Sequence, residues 1–299
     1  MIPIQIFKMG KKCQNRRCPL ETASARQTRF RGYVVSACSI ISLQNRMPDL
    51  KQFVEKARFG IGDNSKKSKR VIAKLLAAST TIDRLNFDSV AARDLEILFS
   101  SIDQEFFGGK VAQQLAVNNL PLSFRVSKRM TNSGGITTTR FDNRTGKPKE
   151  FEIAISSTLL FESFKDEKPI VVTGLLCGDR TQALKRIMEH ELIHLLEMLL
   201  WSESSCARAR FQNIAFRLFR HRQSTHQLIT PSDTAESHYN ISAGDWVHFS
   251  LDDKTVFGFV NRITKRATIL VPSKNGTPYS DGKKYLKYYV PVNRLRKAA

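Results

Sequence analysis

His190 and His194 stand four residues apart in the stretch MEHELIHLLEMLLW (Met188–Trp201), and Glu191 follows the first of them. Residues four apart lie on one face of an α-helix, about one turn along its axis. Two imidazoles so related can share one metal ion, and zinc is the natural occupant, because imidazole ligation with an open position suits it. Glu191 projects about 100° from His190. It is badly placed to bind the same ion and well placed to reach a water held by it. Zinc lowers the pKa of such a water to about 7. A carboxylate at Glu191 then acts as general base and returns the proton to a leaving amine. This is metal-assisted peptide hydrolysis. A chain of this length contains H-E-x-x-H by chance about one time in a hundred. Here the motif also interrupts a strongly apolar helix, where two histidines and a glutamate without partners would be costly to bury.

The helix leaves the site one ligand short. Glu197, Cys206, His221 and His226 are the downstream candidates. Glu197 is only three residues past His194, too close to complete a tetrahedron comfortably. His221 and His226 follow a second helix, whose length of roughly 15 Å carries them away from its start. Cys206 sits in the loop before that helix, and thiolate is a good zinc ligand. The metal set expected is therefore His190, His194 and Cys206, with His221, His226 and Glu197 open as alternatives. The plain alternative for Cys206 is a small buried residue at a helix start.

Elements that position these groups can be read on either side. The stretch from Met47 spaces its charges as on an exposed helix, and IGDNSKKSKR reads as a linker. Val90, Leu95, Leu98, Phe99 and Ile102 recur at helical spacing, and Gly108-Gly109 ends that helix. Strand alternation follows in LPLSFRVSKRM and FEIAISST, with a turn at SGG (133–135) between them. PIVVTGLL is a short buried strand or a helix start. Asp179 caps the long motif helix, which runs to about Trp201. RFQNIAFRLFR forms the next helix, and PSDTAESHYN reads as a linker. From about Ser242, short alternating segments joined by tight turns predict a small barrel.

The 299 residues suffice for one large domain or two modest ones, and the formal net charge is +21. Such basicity favours polyanion partners, nucleic acid above all. The first 46 residues contain a single acid, Glu21, and read as a disordered basic arm, with Met47 an alternative start. Five scattered cysteines do not make a disulfide framework and indicate a reducing, cytoplasmic setting, nucleoid-associated in a bacterium. No apolar run approaches the roughly 20 residues of a membrane span. Tyr33–Leu43 has the length of a signal-peptide core but neither the flanks nor a cleavage site.

The span from about Leu95 to Leu228 resembles the SprT-like zinc metallopeptidases. The resemblance runs through LEILFSSIDQEFFGGK, LSFRVSKRMTNSGG, FEIAISSTLL, MEHELIHLLEMLLW, RFQNIAFRLF and the closing THQL. It implies an α+β, zincin-like peptidase domain, with His190 and His194 as ligands and Glu191 as the catalytic residue. It further implies action on proteins crosslinked to DNA. The family's third histidine opens the second helix in an H-G-x-x-F/W stretch. Aligned on Phe211, its place is taken by Ala207, one residue after Cys206, and Arg208 replaces the glycine. No cysteine follows Cys206, so the zinc ribbon of many bacterial members is missing. The C-terminal segment is instead similar to KOW-like or SH3-like barrels. There Lys265, Arg266, Lys283, Lys284, Lys287, Arg294 and Arg296 interleave with Tyr285, Tyr288 and Tyr289, a pattern suited to phosphates and stacked bases. The expected layout is an arm (1–46), a helical or linker region (47–87), the peptidase domain (88–230), a linker (231–241) and the barrel (242–299). The function expected is a zinc-dependent endopeptidase acting on DNA-associated or DNA-crosslinked proteins. A nucleic-acid-binding adaptor with a structural metal site is the alternative.

Overall fold

The computed structural model describes residues 49–165 and 168–298 and is mixed α+β. The basic arm, with Cys13, Cys18, Cys38 and the apolar run at 33–43, lies outside the described residues. Helices α1 (Leu50–Lys56), α2 (Ile61–Ala78), α3 (Ala92–Ile102) and α4 (Lys110–Val117) come first. IGDNSKKSKR is not a linker but the first half of α2. Ser65, Lys66, Lys69 and Arg70 face outward, while Asn64 donates to the main-chain carbonyl of Leu218 at 2.8 Å and Val71 and Leu75 are fully buried. A charge run on one helical face has the composition of a linker, and only the packed opposite face tells them apart. Past α3 the chain widens into a π turn at Asp103–Phe107. Gly108 (φ 63°) and Gly109 (φ 80°) then adopt left-handed backbone that glycine enters at little cost.

Strands β1 (Leu122–Ser127), β2 (Gly135–Phe141) and β3 (Pro148–Ser156) form a sheet in the order β1-β3-β2. β1 runs parallel and β2 antiparallel to β3, which leaves β2 as an edge. Helix α5 (Ser157–Ser163) follows, then a hairpin of β4 (Ile170–Val172) and β5 (Leu175–Cys177). PIVVTGLL is this hairpin: Thr173 and Gly174 both take positive φ, as a tight two-residue turn requires.

Helix α6 (Arg180–Trp201) starts where Asp179 accepts from the Gln182 N–H at 2.9 Å. It is buried nearly all round, polar residues included, and lies in the middle of the core, against β2, β3, α3 and helix α7 (Ala209–Phe219). Leu184, Ile187, Met188, Leu192, Ile193, Leu195 and Leu196 are fully buried. Each such Leu or Ile contributes ~1.5–3 kcal/mol relative to exposure. That burial holds the polar residues of the same helix in place.

PSDTAESHYN is helix α8 (Pro231–Tyr239), not a linker. Thr230 and Asp233 form a reciprocal capping box with proline at the first helical position, and Ala235 is buried against the last sheet. That sheet is five-stranded and antiparallel: β6 (Trp246–Leu251), β7 (Lys254–Ile263), β8 (Ala267–Pro278), β9 (Lys284–Val290) and β10 (Arg296–Lys297), in the order β10-β6-β7-β8-β9. A 3-10 turn at Val292–Arg294 precedes β10. Val247, Phe249, Val260, Ile269 and Leu295 make its separate core. No helix among the described residues is long and apolar enough to cross a membrane.

Candidate metal centre and C-terminal aromatic face

His190 and His194 project from one face of α6, and their Nε2 atoms face each other at 3.1 Å. Two imidazoles on one tetrahedral zinc ion, with Zn–N about 2.0–2.1 Å, hold their nitrogens about 3.3 Å apart. The separation fits a shared ion. The proton placement fits as well. Ser204 Oγ donates to Glu197 Oε2 at 2.8 Å, so it accepts from His194 Nδ1 at 2.7 Å. With the proton on Nδ1, the lone pair of His194 Nε2 is free to ligate. Burial lowers the pKa of both histidines, which keeps them neutral as ligation requires.

Glu197 therefore stands behind the site rather than in it. Fully buried, it also accepts from the Ser205 N–H at 3.3 Å and from Arg210 Nε at 2.6 Å. These bonds fold the loop after α6 back along the helix. Ser202, at φ 58°, ends α6, and the returning loop brings Cys206 to the histidines. The ligand atoms of His190, His194 and Cys206 lie within 4.8 Å of one another.

His226 reaches the same cleft, against the expectation from helix length. Arg220 (φ 63°) turns the chain sharply out of α7, and the Thr173 N–H donates to Thr225 O at 3.1 Å. The loop so pinned folds back over α6. The His226 ring centroid lies 4.4 Å from that of His190, and its ligand atom groups within 4.8 Å with those of His190 and Glu191. Its Nε2 is buried, makes no hydrogen bond and lies 3.6 Å from Glu191 Oε1. Burial brings the His226 pKa down to about 3. His221 is elsewhere, its Nε2 3.0 Å from Glu189 Oε2.

Glu191 is buried opposite the histidine pair, and burial pushes its pKa up to about 7, against the opposing hydrogen bond from Thr137. The Thr137 hydroxyl, on β2, donates to Oε2 at 2.8 Å. A Cβ on Gly135 would stand 2.7 Å from Glu191 Cγ and Oε1, and one on Gly134 would stand 2.7 Å from Leu228 Cδ1 and 3.0 Å from His226 Nδ1. The SGG stretch, legible as a turn, is thus also the place where backbone must approach Glu191 and His226 closely. The cleft has a volume of about 840 Å³, and edge strand β2 forms one wall through Ile136 to Thr139.

Glu189 anchors the helix from the other side. It accepts from Lys185 Nζ at 2.5 Å and Arg186 at 3.0 Å. Burial opposes its charge, but Lys185, Arg186 and His221 together outweigh it and hold Glu189 ionised. Removing one partner of a buried pair leaves the other charge uncompensated, at a cost of about 3–5 kcal/mol. Glu189→Ala is therefore expected to lose that much stability in denaturant unfolding. A change below 1 kcal/mol would show that Lys185 finds water instead.

The C-terminal sheet corrects the expected stacking surface. Tyr285 is 6% exposed and its hydroxyl donates to Asp281 at 2.7 Å, while Tyr288 packs inward against Phe249. Of the three tyrosines only Tyr289 is exposed. The alternation of β9 hides Tyr288 on the inner face, and the folded-over strand ends cover Tyr285. The outer face carries a different aromatic set. Trp246 pairs with Phe259, and His248 with Phe257, across β6 and β7, with ring centroids 4.2 Å and 5.5 Å apart. Phe257 is 46% and Phe259 42% exposed. Arg296 stands beside His248, and Leu270 beside Phe259 links the row to Lys287. The seven basic residues named above are all exposed. Planar rings beside cations can stack bases and hold phosphates. The uncharged alternation W-x-H and F-x-F was present in the sequence but does not announce which face stays open.

No protein-family model, curated protein or solved structure matches the chain.

Proposed function

We propose that the chain is a zinc-dependent endopeptidase of the SprT-like, zincin-like type, acting on proteins bound or crosslinked to nucleic acid, DNA above all. The observation that carries the reading is the facing Nε2 pair of His190 and His194, set by the Ser204–Glu197 relay, with Glu191 buried beside it at an open cleft.

His190, His194 and Cys206 would hold the metal. Cys206 is preferred to His226 because it alone closes a group with both histidines. When bound, zinc supplies Lewis acidity and acidifies a water. A positive ion also lowers the pKa of the neighbouring Glu191 and favours its carboxylate form. Glu191 takes the proton of the attacking water and delivers it to the leaving amine, while Thr137 keeps the carboxylate aimed. His226 Nε2, buried and unbonded, faces the same space and can donate to the oxyanion that develops on the scissile carbonyl. The free edge of β2 lets an extended substrate add as a further strand.

The strand order of the C-terminal sheet, with a 3-10 turn before its last strand, supports the SH3-like reading of that module. Its aromatic face and the +21 charge support recruitment to nucleic acid. The deciding experiment measures zinc content, then cleavage of a DNA-bound protein with and without DNA. Metal-loaded protein that cleaves nothing, yet binds DNA, would favour the adaptor reading. Stacking is worth about 1–3 kcal/mol per base. Trp246→Ala with Phe259→Ala is thus expected to weaken binding of a single-stranded oligonucleotide by about 5–100-fold. Tyr285→Phe should leave it unchanged. Fluorescence anisotropy at fixed salt reads both, and equal effects would remove the face from the proposal.

A further inference from the structure

A second concavity, of about 410 Å³, opens on a different face of α6 from the histidine pair. Lys69 of α2, Lys185 and Arg186 of α6, and Arg220 and Arg222 just beyond α7 contribute five cations to its lining, and no carboxylate lines it. Lys185 and Arg186 share one counter-ion, Glu189, behind the wall, so one of their two charges is uncompensated. Among the described residues no carboxylate lies within ion-pair distance of Lys69, Arg220 or Arg222. Arg220 instead lies over the Phe216 ring, 4.3 Å from its centroid. It also holds φ 63° at the end of α7, where glycine is the unstrained choice. A large cationic side chain kept in strained backbone at the rim of a cationic pocket indicates a task beyond packing. Ser68 Oγ, buried and without a hydrogen-bond partner, lies in the same wall. Ile72 and Leu175 add apolar surface.

We infer that this pocket binds a phosphate group, carried either by a small phosphorylated molecule or by a nucleic-acid backbone. Several guanidinium and ammonium donors converging on one cavity match a phosphate's oxygens in charge and geometry. Phe216, 45% exposed beneath Arg220, offers a flat surface for the group that carries the phosphate. The site is independent of the peptidase reading, since none of the candidate metal ligands lines it.

The test uses the full, zinc-supplemented chain. Inorganic phosphate is expected to raise Tm more than chloride at equal ionic strength. The Arg220→Gly/Arg222→Gln double variant should lose at least about tenfold in phosphate affinity, the worth of one charge-assisted hydrogen bond. Its Tm without phosphate should match or exceed wild type, because glycine relieves the left-handed strain. Lys147→Gln/Lys149→Gln removes the same charge from an exposed hairpin and should leave phosphate affinity unchanged. A labelled single-stranded oligonucleotide displaced by phosphate from wild type, but bound equally by the double variant with or without phosphate, assigns the pocket to the nucleic-acid backbone. Phosphate binding without displacement assigns it to a small phosphorylated molecule. Equal phosphate affinity in the double variant and wild type, or an equal loss in the hairpin control, overturns the site.

Discussion

Glu191→Gln is expected to reduce peptidase turnover by about 10²–10⁴-fold, the usual contribution of a positioned general acid–base group, while metal content stays that of the wild type. Glutamine keeps the shape of the side chain and can still accept from Thr137, whose hydroxyl lies 2.8 Å from Oε2. What it lacks is a proton acceptor of suitable basicity. The substitution also removes a carboxylate whose charged form burial disfavours, so Tm should not fall. The measurement pairs metal analysis and thermal unfolding with cleavage of a DNA-bound protein. Retained turnover in a folded, metal-loaded Glu191→Gln would sink the general-base role. A fall in Tm would place Glu191 in the packing rather than in the chemistry.

Cys206→Ser and His226→Ala are expected to separate binding from catalysis. Structural zinc is held with about 10–16 kcal/mol, so one ligand of four is worth about 3 kcal/mol. Cys206→Ser should therefore weaken zinc affinity by more than about 100-fold. It should also abolish the thiolate charge-transfer absorption of the cobalt-substituted protein. His226→Ala should keep zinc affinity and lose about 10²–10³ in kcat, as expected for a lost oxyanion donor. The reverse pattern would make His226 the third ligand and leave Cys206 as a partly buried residue against the core. The spectroscopic readout guards against a variant that loses metal because it folds poorly.

The motif helix was fully legible in the sequence. His190, Glu191 and His194 follow from the period of the helix, and Asp179 as its cap follows from hydrogen-bonding chemistry that acts over three residues. The capping box of Thr230 and Asp233 was equally local, yet Pro231–Tyr239 read as a linker because its composition is polar. Residues 61–70 failed for the same reason: this first half of α2 buries Asn64 as the N-terminal foothold of a face otherwise charged. Composition reports the solvent side of such helices, whereas packing decides whether they form.

By itself, then, the sequence determined the common helical face of His190 and His194, the place of Glu191 beside it, the Asp179 cap and the alternation of the strands, all features that span a few residues. The tertiary structure decided which distant side chains gather around them. Cys206 arrives because Glu197, buried and paired with Arg210, draws the loop back by way of Ser204 and Ser205. His226 arrives because a left-handed Arg220 and the β4–β5 hairpin redirect the chain across α6. Tyr285 and Tyr288 turned inward while Phe257 and Phe259 stayed open, since the partner strands choose which face of an alternating strand is covered. Each of these outcomes rests on contacts between residues distant in the chain, and no local period encodes them.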